Sequence, residues 1–536
     1  MPTASRKHTF NRLAPAAIAL LAPQLLAGAA FAQTTPAPTV PAPASASVFD
    51  PGPRPVGNQT VPFSGVVDDF AGLKTPILNA AQPSDGTPGN AGAGLPLKGL
   101  TPGQGKFWGD SLVPFGQLAT VDGETDPKTG NPTILGLGPA FNGVSCSTCH
   151  AFPTIGGTSP ATNPQTALAT LNGATNTIPT FVTTNGPVVE ARFPTDIGDG
   201  LGAGAVHELF TIQGRSDAPS GCTLAQPNFP QQLSANNVTL RIPTPLFGVG
   251  FIENTPDQEL MTNLADEANA GLGISGRLNT NPNDQTVTRF GWKAQNKSLL
   301  LFAGEAANVE LGVTNELFST ERIPGSNCTG NELPEDATEP VPPADFDSTA
   351  AGNDAGGGGV ASLVSSNIEN FAVFMRLNSA PSQCAFDSGT NSAGAALCTP
   401  FTSSPNASHI SNGAAQFINA GCDVCHTETL VTGPSPFAPL SNATYHPFSD
   451  FAVHDMGTQL ADGVTQGSAN GKEFRTAPLW GIGQRLFFLH DGRETNLVNA
   501  IADHKSTGSE ANTVIKNFDA LSTQNQQDIL DFLRSL

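Results

Sequence analysis

The chain has 536 residues, 38% hydrophobic and only 13% charged, with 57 Gly and 46 Pro. That length suits two to four domains, and that composition suits compact modules joined by long irregular loops, not a coiled coil or one regular sheet. The formal net charge of -21 argues against nucleic acid and against anionic membrane surfaces as partners; it suits a basic partner protein, and equally the plain solubility of a secreted chain.

Residues 1–32 read as an export signal. Arg6, Lys7 and Arg12 precede an apolar stretch reaching about Ala30, and Ala30-Phe31-Ala32 has the small-x-small form of a cleavage site, making Gln33 the expected mature start. Pro15 and Pro23 break the stretch, which is too short for a membrane span, and no other segment approaches that length. A periplasmic or secreted protein with no membrane span is expected. Residues 33–100 form a Pro/Ala/Gly-rich linker and N-terminal extension, extended over its first part.

Cys146-Ser147-Thr148-Cys149-His150 follows, and the same pattern returns as Cys422-Asp423-Val424-Cys425-His426. C-x-x-C-H is the attachment site of c-type haem: two thiols add across the two vinyl groups, and the adjacent His turns back to ligate iron. With 8 Cys and 9 His in the chain, chance supplies roughly 0.002 such pentapeptides, so two copies are not accidental. A thioredoxin-like pair or half a zinc site would not require the His. Two covalently bound haem c groups are expected, on Cys146, Cys149 and His150 and on Cys422, Cys425 and His426.

Four cysteines remain: Cys222, Cys328, Cys384 and Cys398. An even number in an oxidising compartment suits disulfides, and three connectivities are possible. Cys384 with Cys398 is preferred for its short loop, which leaves Cys222 with Cys328.

Leu299, Phe302, Ala303, Ala306 and Val309 recur on one helical face, read as core packing. Residues 324–360 carry seven acidic residues and no Lys or Arg, a composition expected to form a solvated loop. Ser366-x-x-Glu369 reads as a capping box ahead of Ile368, Phe371, Ala372 and Met375. A helix from about Ala414 to Ala420 leads into the second motif, and Thr523-x-x-Gln526 opens a last helix with Ile529, Leu530, Phe532, Leu533 and Leu536 on one stripe. A helix before the haem and a crossing helix at the end is how a small cytochrome c module buries its cofactor.

Arg241-Ile242-Pro243-Thr244-Pro245-Leu246-Phe247-Gly248-Val249-Gly250 resembles Arg475-Thr476-Ala477-Pro478-Leu479-Trp480-Gly481-Ile482-Gly483, each copy downstream of one haem motif. The repeat implies two modules of common descent. The expected fold is mainly α, with two cytochrome c-like haem modules, long irregular loops and small β insertions. The N-terminal module with its insertions spans 101–380 and the C-terminal module 405–536.

These motifs together resemble the di-haem cytochrome c peroxidase superfamily of bacteria, and within it the c-type di-haem oxidoreductase branch, described as thiol-oxidoreductase-like. Residues 474–504, FRTAPLWGIGQRLFFLHDGRETNLVNAIADH, carry the strongest likeness, with SDFAVHDMGTQLADG and RFGWKAQNKSL typical of the branch. The likeness covers roughly residues 135–536. It implies an iron ligand at His504, opposite His426, where the peroxidases have Met. His490 and Met456 are rivals for that role, with His454 a supporting residue. It implies a distal His after the first motif, but the loop CHAFPTIGGTSPATNPQTA holds no further His; the first haem is then open on one side, or takes His207. It implies an acid–base Glu at Glu310, while Glu305 reads as a solvated helix residue, and an electron bridge at Trp292. Calcium between the modules is put in doubt, because Ile242 follows Arg241 where the family has Asn, and residues 485–488 replace a Thr-Ala-Pro-Tyr segment.

The resemblance implies a peroxidase-like oxidoreductase with electron relay between two haems. Its partners would be hydrogen peroxide or oxygen and a small electron-donor protein or small-molecule reductant. The rivals are an oxygen-dependent di-haem oxygenase resembling the rubber-cleaving enzymes, and a non-enzymatic electron-transfer cytochrome. The sequence holds no thiol-recognition motif.

Overall fold

Helix starts in this protein are set by side chains that satisfy free backbone N–H groups, some local and some distant. In the computed structural model, which describes residues 48–53, 93–121, 136–268, 270–323, 327–329, 333–340, 363–364, 366–381, 383 and 407–536, α1 (Pro102–Gly116) opens on a capping box. Thr101 accepts from the Gln104 N–H at 3.3 Å and the Gln104 side chain accepts from the Thr101 N–H at 3.0 Å. Ser298 caps α2 (Leu299–Glu310). The box expected at Ser366 does not form. Ser366 Oγ is buried without a partner, and α3 (Asn367–Leu377) is capped from a distance by Asp336, which accepts from the Asn367 and Ile368 N–H groups at 2.7 and 2.9 Å. This also corrects the reading of the acidic stretch as a solvated loop, since Glu335 and Asp336 are both buried. The rest of α4 (Ala407–Ala420) extends the helix expected before the second motif. After α5 (Leu497–Ala502) and α6 (Asn512–Asp519), α7 (Thr523–Ser535) starts one residue earlier than expected, with Ser522 as its cap.

The helices cross in two matching pairs. α1 packs on α3 through Phe115, whose ring lies 4.4 Å from Phe374 and 6.1 Å from Phe371. α4 packs on α7 through Phe417, 5.6 Å from Phe532. In each pair the aromatic of the first helix also sits beside the motif histidine: Phe115 is 6.4 Å from His150 and Phe417 is 6.2 Å from His426, both at an interplanar angle of 55°. Such aromatic contacts add about 0.5–1.5 kcal/mol each beyond burial, so the motif histidines are held by the helix crossings.

The β structure is slight. A three-stranded antiparallel sheet has β1 (Glu190–Arg192) between β2 (Val206–His207) and β3 (Thr239–Arg241). β4 (Val453–Asp455) pairs with β5 (Glu473–Arg475), Val453 opposite Arg475. The fold is thus mainly α with small β insertions. The two repeated segments each leave a strand end, Arg241 or Arg475, and turn at a left-handed glycine, Gly248 (φ 66°) or Gly481 (φ 76°). A Cβ at Gly248 would lie 2.8 Å from the Ala380 Cβ, so both backbone and space require glycine there.

The described residues, all of which lie from 48 to 536, belong to one compact unit, while residues 1–47, with the expected export signal, lie outside the described residues. Cys222 and Cys328 form a disulfide, with Cα atoms 4.5 Å apart; Cys384 and Cys398 lie outside the described residues. Among the described residues, no helix is long and apolar enough to cross a membrane.

Candidate functional site

Two cavities, of about 150 and 210 Å³, open on the two C-x-x-C-H motifs, and apolar atoms make up most of their walls. In the first, Ser145 caps a single helical turn, Cys146–Cys149, by accepting from the Ser147 N–H, and the turn delivers His150 to the cavity. The Gly157 carbonyl lies 3.0 Å from His150 Nδ1. A carbonyl only accepts, so Nδ1 carries the proton and Nε2 is left as a metal donor. In the second cavity the Phe448 carbonyl does the same for His426 at 2.9 Å. Burial holds both imidazoles neutral, pushed down to about 4. It also pushes the thiols of Cys146, Cys149 and Cys422 up to about 12, and that of Cys425 upward. Thiols raised in this way do not suit a thioredoxin-like nucleophile, which needs a depressed thiol. Apolar cavities, paired neutral thiols and an oriented Nε2 fit a covalently tethered haem.

The cavities differ in what faces the motif. The second holds another histidine, His504, whose Nδ1 donates to the Ala500 carbonyl at 2.7 Å and leaves its Nε2 free. α5, capped by Asn496, sets that carbonyl. His454 lines the same cavity but has both nitrogens engaged, by Asp450 at 2.8 Å and Glu510 at 3.0 Å. Burial is the largest influence and opposes its protonation, yet the charge and hydrogen bond of Asp450 together with those of Cys425 outweigh it and raise His454 well above the ordinary imidazole range. Met456 is on the wall, and His490 stacks on Phe474 at 4.2 Å.

In the first cavity, His150 is the only histidine among the described lining residues. His207 is elsewhere, stacked on Phe193 at 3.8 Å, with Nε2 on Asp199 at 2.9 Å and Nδ1 on the Ala205 carbonyl at 3.1 Å; both nitrogens are used, and the role is structural. The polar groups of this cavity are carboxyls and guanidiniums. Glu310, the last residue of α2, is pinned through its carbonyl, which accepts from Asn142 and Gly143 at 2.8 and 3.1 Å. Its carboxyl is within hydrogen-bonding reach of Glu190, and burial followed by the Glu190 charge raises it well above the usual carboxylate range. Burial acts the same way on Glu190, but Arg192, at 2.6 Å, and Arg241 outweigh it and hold Glu190 below that range. The pair carries one proton, kept on Glu310. Glu305 is not solvated as expected: it lines the cavity and accepts from Asn296. Of the residues expected as core, Leu299 and Ala303 are in it and Phe302 packs against it; Phe302, Ala303, Ala306 and Val309 also line the cavity.

Trp292 lines both cavities. Its indole N–H donates to the Ile242 carbonyl at 2.9 Å, and its own carbonyl accepts from the Arg475 N–H at 2.8 Å. The indole is therefore fixed to the first repeated segment and the Trp292 backbone to the second. Next to it, Lys293 and Arg241 meet on the fully buried Asp462, at 3.0 and 2.7 Å. Sequence reasoning missed Glu190, Arg192 and Asp462, which carry no local signal. Arg241 and Arg475 had one, as the first residue of each repeat.

A family model described as "Di-haem oxidoreductase, putative peroxidase" matches residues 197–338 and 377–536, more than half of the chain. No curated protein matches. Among solved structures, Kuenenia stuttgartiensis hydrazine synthase is similar at 17% identity over 33% of this chain and 57% of that one, with a TM-score of 0.19. This chain therefore spans little more than half of that protein's length, and a likeness so low carries no argument.

Proposed function

The chain belongs to the di-haem oxidoreductase family, and from that membership we propose an exported peroxidase with two covalent haem c groups in cytochrome c-like modules spanning 101–380 and 405–536. Cys146, Cys149 and His150 hold one haem; Cys422, Cys425, His426 and His504 hold the other. The observation that carries the reading is the asymmetry of two otherwise matched cavities. One opposes its motif histidine with a second imidazole, which suits a closed electron-transfer site. The other offers a carboxyl pair, which suits a site with room for a small oxidant.

When bound, haem iron supplies the electron storage and the oxidising chemistry. Peroxide takes up two electrons and two protons to give two waters, with the electrons drawn from a small donor protein or small-molecule reductant. One peroxide oxygen must lose a proton and the other must gain one: Glu310 would give its proton to the departing oxygen, and the anionic Glu190 beside it would take up the proton released. Glu190, kept anionic by Arg192, accepts the Glu310 proton's hydrogen bond and sets its position. Trp292 supports electron passage between the cavities by contributing to both walls. Electron paramagnetic resonance of the ferric protein should show one high-spin and one low-spin haem, with peroxide turnover. Trp292→Phe should slow turnover with both spectra kept. Two low-spin haems in every redox state would sink the peroxidase in favour of an electron-transfer cytochrome. Oxygen uptake with an alkene and no peroxide would favour the oxygenase.

A further inference from the structure

We infer that Arg475 and Arg485 form a carboxylate receptor between the two cavities, filled by the carboxylate edge of the tetrapyrrole held in the second cavity. Both side chains line that cavity and the small cleft behind Trp292 that leads toward the first. Each is only 7% exposed. Arg475 donates one hydrogen bond, from Nη1 to the Arg289 carbonyl at 3.0 Å, and its Nε has no partner. Arg485 Nη2 is likewise buried with no partner.

Guanidinium does not escape burial by losing its proton, so a buried Arg is matched by an anion. The other buried arginines follow that rule: Arg192 has Glu190, Arg215 has Asp217, Arg241 has Asp462, Arg289 has Asp257 and Arg534 has Asp50. Arg475 and Arg485 form no ion pair with a carboxylate among the described residues: the acidic charge that Arg475 feels is that of Asp450, which is already paired with His454 at 2.8 Å. Arg475 also feels the charge of Arg485. No acidic residue lines the cleft, and the one on the second cavity's wall, Glu510, is engaged by His454 and Ser275. The missing anion has to arrive with a ligand. Two adjacent guanidinium forks match a pair of carboxylates.

The receptor is held in place before it is filled. The Arg485 carbonyl accepts from Arg534 at 3.1 Å, and the Arg475 N–H donates to the Trp292 carbonyl at 2.8 Å. The filled receptor therefore ties the second haem to the shared tryptophan. Its cations also offset the carboxylate charge, which favours the reduced haem.

This inference rests on the proposal that the second cavity holds a covalent haem, and the experiment separates the two. Full-length holoprotein is compared with Arg475→Gln, Arg485→Gln and the charge-conserving Arg485→Lys. Thioether attachment depends on Cys422 and Cys425, so each variant should keep two haems per chain. The Gln variants should shift the reduction equilibrium of one haem at least tenfold toward the oxidised form, about 59 mV for a one-electron couple. The Lys variant should stay within twofold, yet move the propionate bending band in resonance Raman spectra. Inorganic phosphate at fixed ionic strength should leave the native potential unchanged. Two attached haems with potentials and Raman bands unmoved in the Lys and Gln variants would overturn the receptor and spare the haem assignment. A phosphate-dependent native potential would give the receptor to a soluble anion and overturn this occupant. Native protein without haem would overturn both.

Discussion

Exchange of Glu310 for Gln isolates the proton function of the first cavity. Gln keeps the length and hydrogen-bonding shape of the carboxyl, and Glu310 is already held neutral by burial and by Glu190, so the substitution changes little in charge. What it removes is a transferable proton. General acid–base groups contribute about 10²- to 10⁴-fold, or about 3–5 kcal/mol of barrier. The lower end is expected for the single variant, because the base, Glu190, stays on the same wall. The upper end is expected for Glu190→Gln with Glu310→Gln. The pH profile supplies a second reading. The folded pKa of Glu310 is raised, so its proton is present below that pKa and lost as pH rises through it. Native turnover should fall on that alkaline limb, and the variant should have no such limb. The assay is steady-state peroxide reduction with a dye reductant, alongside optical spectra of both haems. Turnover within threefold of native, with unchanged spectra, would refute a proton role for Glu310.

Three further outcomes are expected. His504→Ala should convert one low-spin haem to high-spin with both haems attached; an unchanged resonance spectrum would move the ligand role to His490 or Met456. Loss of the Cys222–Cys328 bridge by double exchange to Ser should lower stability, since its closed loop spans 106 residues. The chain-entropy estimate for such a loop is about 5 kcal/mol and measured losses run about 2–5 kcal/mol, readable from urea midpoints under non-reducing conditions. Burial, then the Asp450 charge, raises Glu267 from 4.5 to about 10. Its contribution to stability is therefore complete below pH 4.5 and lost as pH rises toward about 10, on the order of 1 kcal/mol per pH unit. Glu267→Gln should flatten the decline in urea midpoint between about pH 6 and about pH 9, and parallel declines would contradict this.

Much of the site is legible in the chain because its chemistry is contiguous. Cys-x-x-Cys-His needs five neighbouring residues, and the single turn capped by Ser145 forms wherever that pentapeptide sits. Helix α2 follows from its apolar spacing in the same way, since residues three and four apart share a face whatever lies opposite. The matched pair of repeats could also be read, with an arginine heading each. Periodicity does not report everything that face meets, and so Phe302 packs against the core and lines a cavity as well, with Val309 beside it on the cavity wall. The cap on α3 comes from Asp336, not from Ser366, because a distant carboxylate took the two N–H groups first.

The amino-acid order alone thus determined where the four thiols and two motif histidines lie, and that α2, α3, α4 and α7 are helical. Only the tertiary structure brought Glu190 to Glu310, set Trp292 in the walls of both cavities, joined Arg241 and Lys293 on Asp462 and left Arg475 and Arg485 without an ion-paired carboxylate among the described residues. Each of those meetings joins loops or strand ends far apart in the chain. Their register is decided by the packing of the whole unit, and no local pattern of residues encodes it.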